Sequence, residues 1–97
     1  MIQESINLLG KHGVDKITGY KGVISSVCFD LYGCVQLALT PPATAEGKIE
    51  SGTWFDVHRV QVQEDAPRVM GVPDFRAMAR QPEDFSHGPA EKPAPRN

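Results

Sequence analysis

Two cysteines, Cys28 and Cys34, two histidines, His12 and His58, and the carboxylate of Asp56 are the residues of this 97-residue chain best suited by type to covalent or metal chemistry. Nucleophilic catalysis would set one thiol beside His12 or His58, with Asp56 orienting the imidazole. No local motif arranges these groups in that way. A chain this short also has little material left to build a substrate pocket once its core is filled, so a non-enzyme is expected and a small cysteine-dependent enzyme ranks third among the functions considered. Tetrahedral zinc would ask Cys28, Cys34 and His58 to converge with a fourth ligand or an open position. The C-x5-C spacing differs from that of a zinc knuckle, whose paired ligands lie about two to four residues apart. No metal or other cofactor is expected. The bland reading makes both cysteines buried, slightly polar hydrophobes flanking a hairpin turn. A disulfide between them would require that they oppose each other, and the sequence leaves that register open by one residue. Asp56 reads most economically as a turn residue that accepts hydrogen bonds from its own backbone ahead of His58.

The aromatic residues point elsewhere. Tyr20, Phe29, Tyr32, Trp54 and Phe55 lie in or beside loops and strand ends, where a small barrel presents ligand grooves. Adjacent Trp54 and Phe55 must face opposite ways within a strand, one toward the core and one outward. Tyr20, Tyr32, Trp54 and Phe55, with Phe75 and Met78 further along, are therefore the candidate partner-binding residues. A groove of this kind suits an extended or proline-rich peptide, and the chain's own C-terminus supplies such a segment.

The elements that must position these residues are short. Ile2, Ile6 and Leu9 suit one apolar stripe on a brief N-terminal helix that Gly10 and Gly13 would stop; because an isolated two-turn helix is marginal in water, a strand or a loosely docked arm is the alternative. Strands are expected over Val14 to Thr18 and Gly22 to Phe29, the latter rich in β-branched residues. Asp30 to Gly33 then turns the chain into Cys34 to Thr40, where Val35, Leu37 and Leu39 alternate with Gln36, Ala38 and Thr40. Residues 43–52 read as a solvent loop, and Thr53 to Val57 and Arg59 to Gln63 as two further strands joined by a tight turn. Five strands in about fifty residues, with glycine at the bends and almost no helix, predict an all-β fold: a small five-stranded SH3-like barrel, closed or nearly so. An oligonucleotide-binding barrel, which normally uses longer strands, is the structural alternative.

Composition changes near Gln63. Six of the eight prolines lie beyond it, whereas seven of the nine glycines lie before it. Residues 1–63 are read as the barrel domain and 64–97 as a proline-rich tail, partly docked to about residue 87 and containing at most one short helix. That helix is placed between Pro73 and Pro82, with Asp74 as its N-cap. A body of this size buries only about 60% of its extended-chain surface, so its stability alone is marginal. Val69, Met70, Val72, Phe75, Met78 and Phe85 are too many apolar groups for a purely solvating linker, so the tail is expected to dock on its own barrel or on a neighbour's.

Charge narrows the function classes. Ten basic residues against twelve acidic ones give a net charge of -2, the wrong sign for a chain that tracks phosphates. Lys11, His12, Lys16, Lys21, Lys48 and Arg59 could gather beside Tyr20, but Asp15 and Asp30 dilute that field. Nucleic acid is an unlikely partner, and no phosphate-cradling G-x-x-x-x-G-K-[ST] occurs. No stretch approaches the roughly 18 apolar residues that span a bilayer, and no leader-like segment opens the chain, so a cytoplasmic protein with no membrane partner is expected.

The residues Asp15-x-x-Thr18-Gly19-Tyr20-x-Gly22-Val23, the Gly33-Cys34 pair and Trp54-Phe55-Asp56 fall in an order that resembles small SH3-like-barrel proteins of phages, prophages and integron gene cassettes. The resemblance covers about Lys11 to Val62 and not the tail. It implies a small β-barrel from a mobile element and no particular activity. The expected function is a non-catalytic binding or self-assembly module, a homo-oligomer formed through the C-terminal tail, with a peptide or protein partner possible. A nucleic-acid-associated accessory protein is the alternative.

Overall fold

The computed structural model describes residues 2–79, which hold five antiparallel strands in one sheet and two short helices. Helix α1 covers Ile2–Ile6; strands follow at β1 His12–Asp15, β2 Lys21–Phe29, β3 Val35–Thr40, β4 Thr53–Asp56 and β5 Val60–Val62; helix α2 covers Phe75–Ala79. A single 3-10 turn, Val57–Arg59, joins β4 to β5. The expectations for Phe85 and for the end of the tail concern positions outside the described residues.

Strand order is β4-β3-β2-β1-β5. The outer strands β4 and β5 are not paired with each other, so the sheet is open. It is nevertheless strongly curled. In a flat sheet these two strands would lie four spacings, about 19 Å, apart. Four Cα steps separate Asp56 from Val60 and reach about 14 Å at full extension. The sheet must therefore bend until its edges approach. Two features permit the bend. The β2–β3 register slips between Ile24 and Ser26, a bulge that increases local twist. Gly22 lies so close to β3 that a Cβ there would sit 2.7 Å from the Thr40 backbone.

The concave face holds Ile24, Leu37, Leu39, Phe55 and Val60, with Leu8, Leu9, Tyr20, Val27, Val57 and Val62 packed around them. Alternation in β3 sends Leu37 and Leu39 inward as expected. Ala38 is also buried, although it faces the other way, and the register sets it between Ser26 and Trp54.

Strands β2 to β5 match the sequence expectation to within one residue at each end, and β1 differs most. β1 begins two residues earlier than Val14 and ends at Asp15, three before Thr18. Gly13, expected to end the first helix, is instead a core-facing strand residue, because a Cβ there would lie 2.8 Å from Val60 Cγ1. Ile17 is exposed in the following turn, where Asp15 binds the backbone more tightly than β propensity can oppose.

Candidate functional site

The D-x-x-T-G-Y segment builds a structural knot rather than an open site. Asp15 is fully buried at the end of β1. Its carboxylate accepts hydrogen bonds from Arg59 Nε at 2.8 Å and Nη2 at 2.6 Å, and from the Thr18 backbone N–H at 2.9 Å and the Thr18 hydroxyl at 2.5 Å. The forked Arg59 guanidinium, and then the Thr18 donors, hold the carboxyl far below the usual carboxylate range against the opposing effect of burial. The Gly19 N–H donates to the Asp15 carbonyl, with Gly19 at positive φ. Arg59 also lies over the Phe55 ring, 5.2 Å from its centroid, and Tyr20 packs against the same ring at 5.5 Å. Two of the candidate partner residues are thus placed here: Phe55 is buried in the core, and Tyr20 is half-buried against it. Arg59, counted with the basic residues of the sequence, is committed to Asp15, and Lys11 reaches Glu64 at 3.3 Å. These pairings take two cations out of the patch proposed beside Tyr20.

The β2–β3 turn carries Tyr32, almost wholly exposed, between exposed Leu31 and Gly33. Asp30 Oδ1 accepts from the backbone N–H groups of Tyr32 and Cys34, which fixes the turn. Both cysteines are free and exposed, a correction to their reading as buried groups. The strand register explains why: Cys28 opposes Gln36 on the face away from the core, and Cys34 precedes β3. The thiols are therefore offset by two positions along the ladder rather than opposed. No hydrogen bond joins either thiol to His12 or His58 among the described residues, and no group of three metal-ligating side chains forms among them. Asp56 caps the 3-10 turn instead, accepting from the His58 N–H at 2.8 Å with the His58 ring at 3.1 Å. That N–H, then the ring and Arg59, lower its pKa. Trp54, on the outer face of edge strand β4, is 47% exposed, so the expected opposition of Trp54 and Phe55 holds.

The segment after β5 returns to the sheet. Arg68 donates through Nη1 to the Leu9 carbonyl and through Nη2 to the Asn7 carbonyl at 2.9 Å, binding the carbonyls that follow α1. The Val69 N–H donates to the Gly10 carbonyl at 2.9 Å, so the segment runs beside Gly10 just beyond the stretch of β1 that β5 covers. Gly10 has φ +90°, and a Cβ there would lie 2.7 Å from the Met70 carbonyl oxygen and 3.0 Å from Arg68 Cγ. Between this strap and β2 lies an apolar groove of about 280 Å³, lined by Leu9, Val23, Ile24, Val69, Met70 and Phe75. Asp74 Oδ1 accepts from the Ala77 N–H at the start of α2, which exposes Phe75 and Met78 at 43% and 51%. Phe75 and Met78 are candidates of the sequence reading that stand exposed beside this strap, and Arg68 and Gly10, which hold it, are not among those candidates. The sole signal for Gly10 was its value as a helix stop, and Arg68 had none, because its partners are backbone carbonyls about sixty residues earlier.

None of the described helices is long and apolar enough to cross a membrane. Comparison with known family models, with curated proteins and with solved structures gave no match.

Proposed function

We propose that this chain is a non-catalytic binding module, built as a partly open SH3-like barrel, that associates with further copies of itself through the segment following β5. The barrel reading is supported by the strand order β4-β3-β2-β1-β5, by the bulged long β2 and by the 3-10 turn between β4 and β5. The kinship with phage, prophage and integron-cassette proteins stands with it as a proposal, carried by the Asp15 to Gly22 motif.

The observation that carries self-association is how the strap is held. Among the described residues its hydrogen bonds to the sheet and to α1's end are those of Arg68 and of the Val69 backbone, whereas Val69, Met70, Phe75 and Met78 each remain 43% to 69% exposed. Four large apolar side chains along ten residues form the kind of patch that a second surface covers. In a C2 pair the same patch on both subunits would cover itself.

Sedimentation equilibrium of the full chain over a wide concentration range tests this. The expected result is a mass above the monomer that returns to the monomer in the double variant Phe75→Ser, Met78→Ser. A full chain that stays monomeric at the highest concentration removes the proposal.

A further inference from the structure

On the convex face of the sheet, adjoining the strap groove at Val23 and Ser25, a second site brings His12 and Lys21, so far named only for other chemistry, together with Thr40, Pro41, Pro42 and Gln63. Register aligns Gln63, His12, Val23 and Thr40 in one row across four chain segments: the Gln63 N–H donates to the His12 carbonyl, His12 pairs with Val23, and Val23 with Thr40. Their neighbours Gly13, Ile24 and Leu39 are buried, so alternation turns this row outward. The row forms the floor of a trough of about 440 Å³, walled at one end by Pro41 and Pro42 and flanked by Lys21 and Ser25. Ser25 and Thr40 join their hydroxyls at 2.7 Å across the β2–β3 pair.

The chemistry of the lining selects its occupant. Val23 and the two prolines give an apolar floor and wall, and the polar groups around them are hydroxyls, an amide, an imidazole and one ammonium. No carboxylate lines the trough. Glu64, next to Gln63, is taken up by Lys11. Lys21, by contrast, makes no ion pair among the described residues and is exposed. The trough is open and crosses three inter-strand spacings, about 14 Å. That length accommodates about four residues of extended chain. An open trough leaves a small ligand mostly in water, where an extended segment can lie along the whole of it.

We infer that this trough binds an extended segment of a partner protein in which an acidic residue is flanked by apolar ones, the carboxylate meeting Lys21 and the apolar groups resting on Val23, Pro41 and Pro42. This inference goes beyond self-association and does not rest on it, because the strap and the trough share only Val23 and Ser25 at their boundary.

Amide chemical-shift titration of the full 97-residue chain tests it, with the capped peptide acetyl-Leu-Glu-Leu-Ala-amide and its glutamine and lysine counterparts as probes. The glutamate peptide is expected to move the amides of Val23, Ser25, Thr40 and Gln63 saturably. It should bind about 2- to 5-fold more tightly than the glutamine peptide at low salt, as one exposed charge pair allows, with the lysine peptide weakest. Lys21→Glu, a change at an exposed position, should reverse that order while leaving the remaining spectrum unchanged. Equal binding by the three peptides, shifts centred elsewhere, an order unaffected by Lys21→Glu, or no saturable binding by any of them would overturn the inference. Butyrate reproducing the shifts at the peptide's own affinity would overturn its extended-segment part.

Discussion

Replacing Gly10 by alanine reports directly on whether the strap belongs to the native fold. At φ +90° a side chain meets its own backbone, at a cost of about 1–2 kcal/mol for the left-handed region. The new Cβ would also stand 2.7 Å from the Met70 carbonyl oxygen, a backbone atom that cannot swing aside as a side-chain tip can. The strap must then lift, and the hydrogen bond from the Val69 N–H to the Gly10 carbonyl goes with it, about 0.5–1.5 kcal/mol net. Together these give a loss of about 1.5–3.5 kcal/mol. With a urea m-value of about 1 kcal/mol/M for a domain this small, the unfolding midpoint should fall by about 1.5 M or more. Hydrogen exchange supplies the local readout: the Val69 amide should be protected in the parent chain and exchange freely in Gly10→Ala, while amides of β2 and β3 stay protected, lowered by no more than the loss of global stability. An unchanged midpoint together with a still-protected Val69 amide would refute the reasoning, since Gly10 would then have room for a side chain and the strap would not pass over it.

The buried carboxylate of Asp15 makes stability depend on pH with a definite sign. Its folded-state pKa is depressed, so its stabilisation is complete above the unfolded carboxylate pKa of about 3.9 and is lost as pH falls below that value toward the folded one. Urea midpoints measured from neutral pH downward should therefore decline on the acid side, and Asp15→Asn should lower the neutral-pH midpoint and flatten the decline; a parallel displacement of the whole curve would count against this assignment. Cys28 and Cys34, both exposed and free, should each react with a thiol reagent under native conditions at the rate of an accessible thiol, giving the same titre with and without denaturant. A titre that rises only on unfolding would contradict their exposure.

The order of elements could be read in the sequence because each carries a local signal. Alternation of Val35, Leu37 and Leu39 fixes which face of β3 is buried, and Asp30 with Gly33 fixes the turn before it, through bonds spanning four residues or fewer. Asp56 ahead of His58 and Asp74 ahead of α2 likewise act on their own backbone neighbourhood. The opposition of Trp54 and Phe55 follows from strand geometry alone. Cys28 departs from its expected burial because the face of β2 it occupies depends on the bulge between Ile24 and Ser26, a slip that local hydrophobicity does not encode, and Cys34 because it stands in the turn before β3 rather than in the strand.

By itself, then, the sequence determined a mainly β chain of short strands, its turns and the alternation of its central strand, since these depend on interactions within a few residues of each other. Tertiary structure alone decided what Asp15, Gly10, Gly13 and Arg68 are for. Arg59 meets Asp15 across forty-four positions, and Arg68 meets the carbonyls of Asn7 and Leu9 across about sixty. Gly13 is a strand residue because Val60 fills the space its side chain would need, and the trough of Gln63, His12, Val23 and Thr40 exists because four distant segments align in register. A charge or a glycine in sequence states what a position can do; only the partner brought to it by the curled sheet selects which of those things it does.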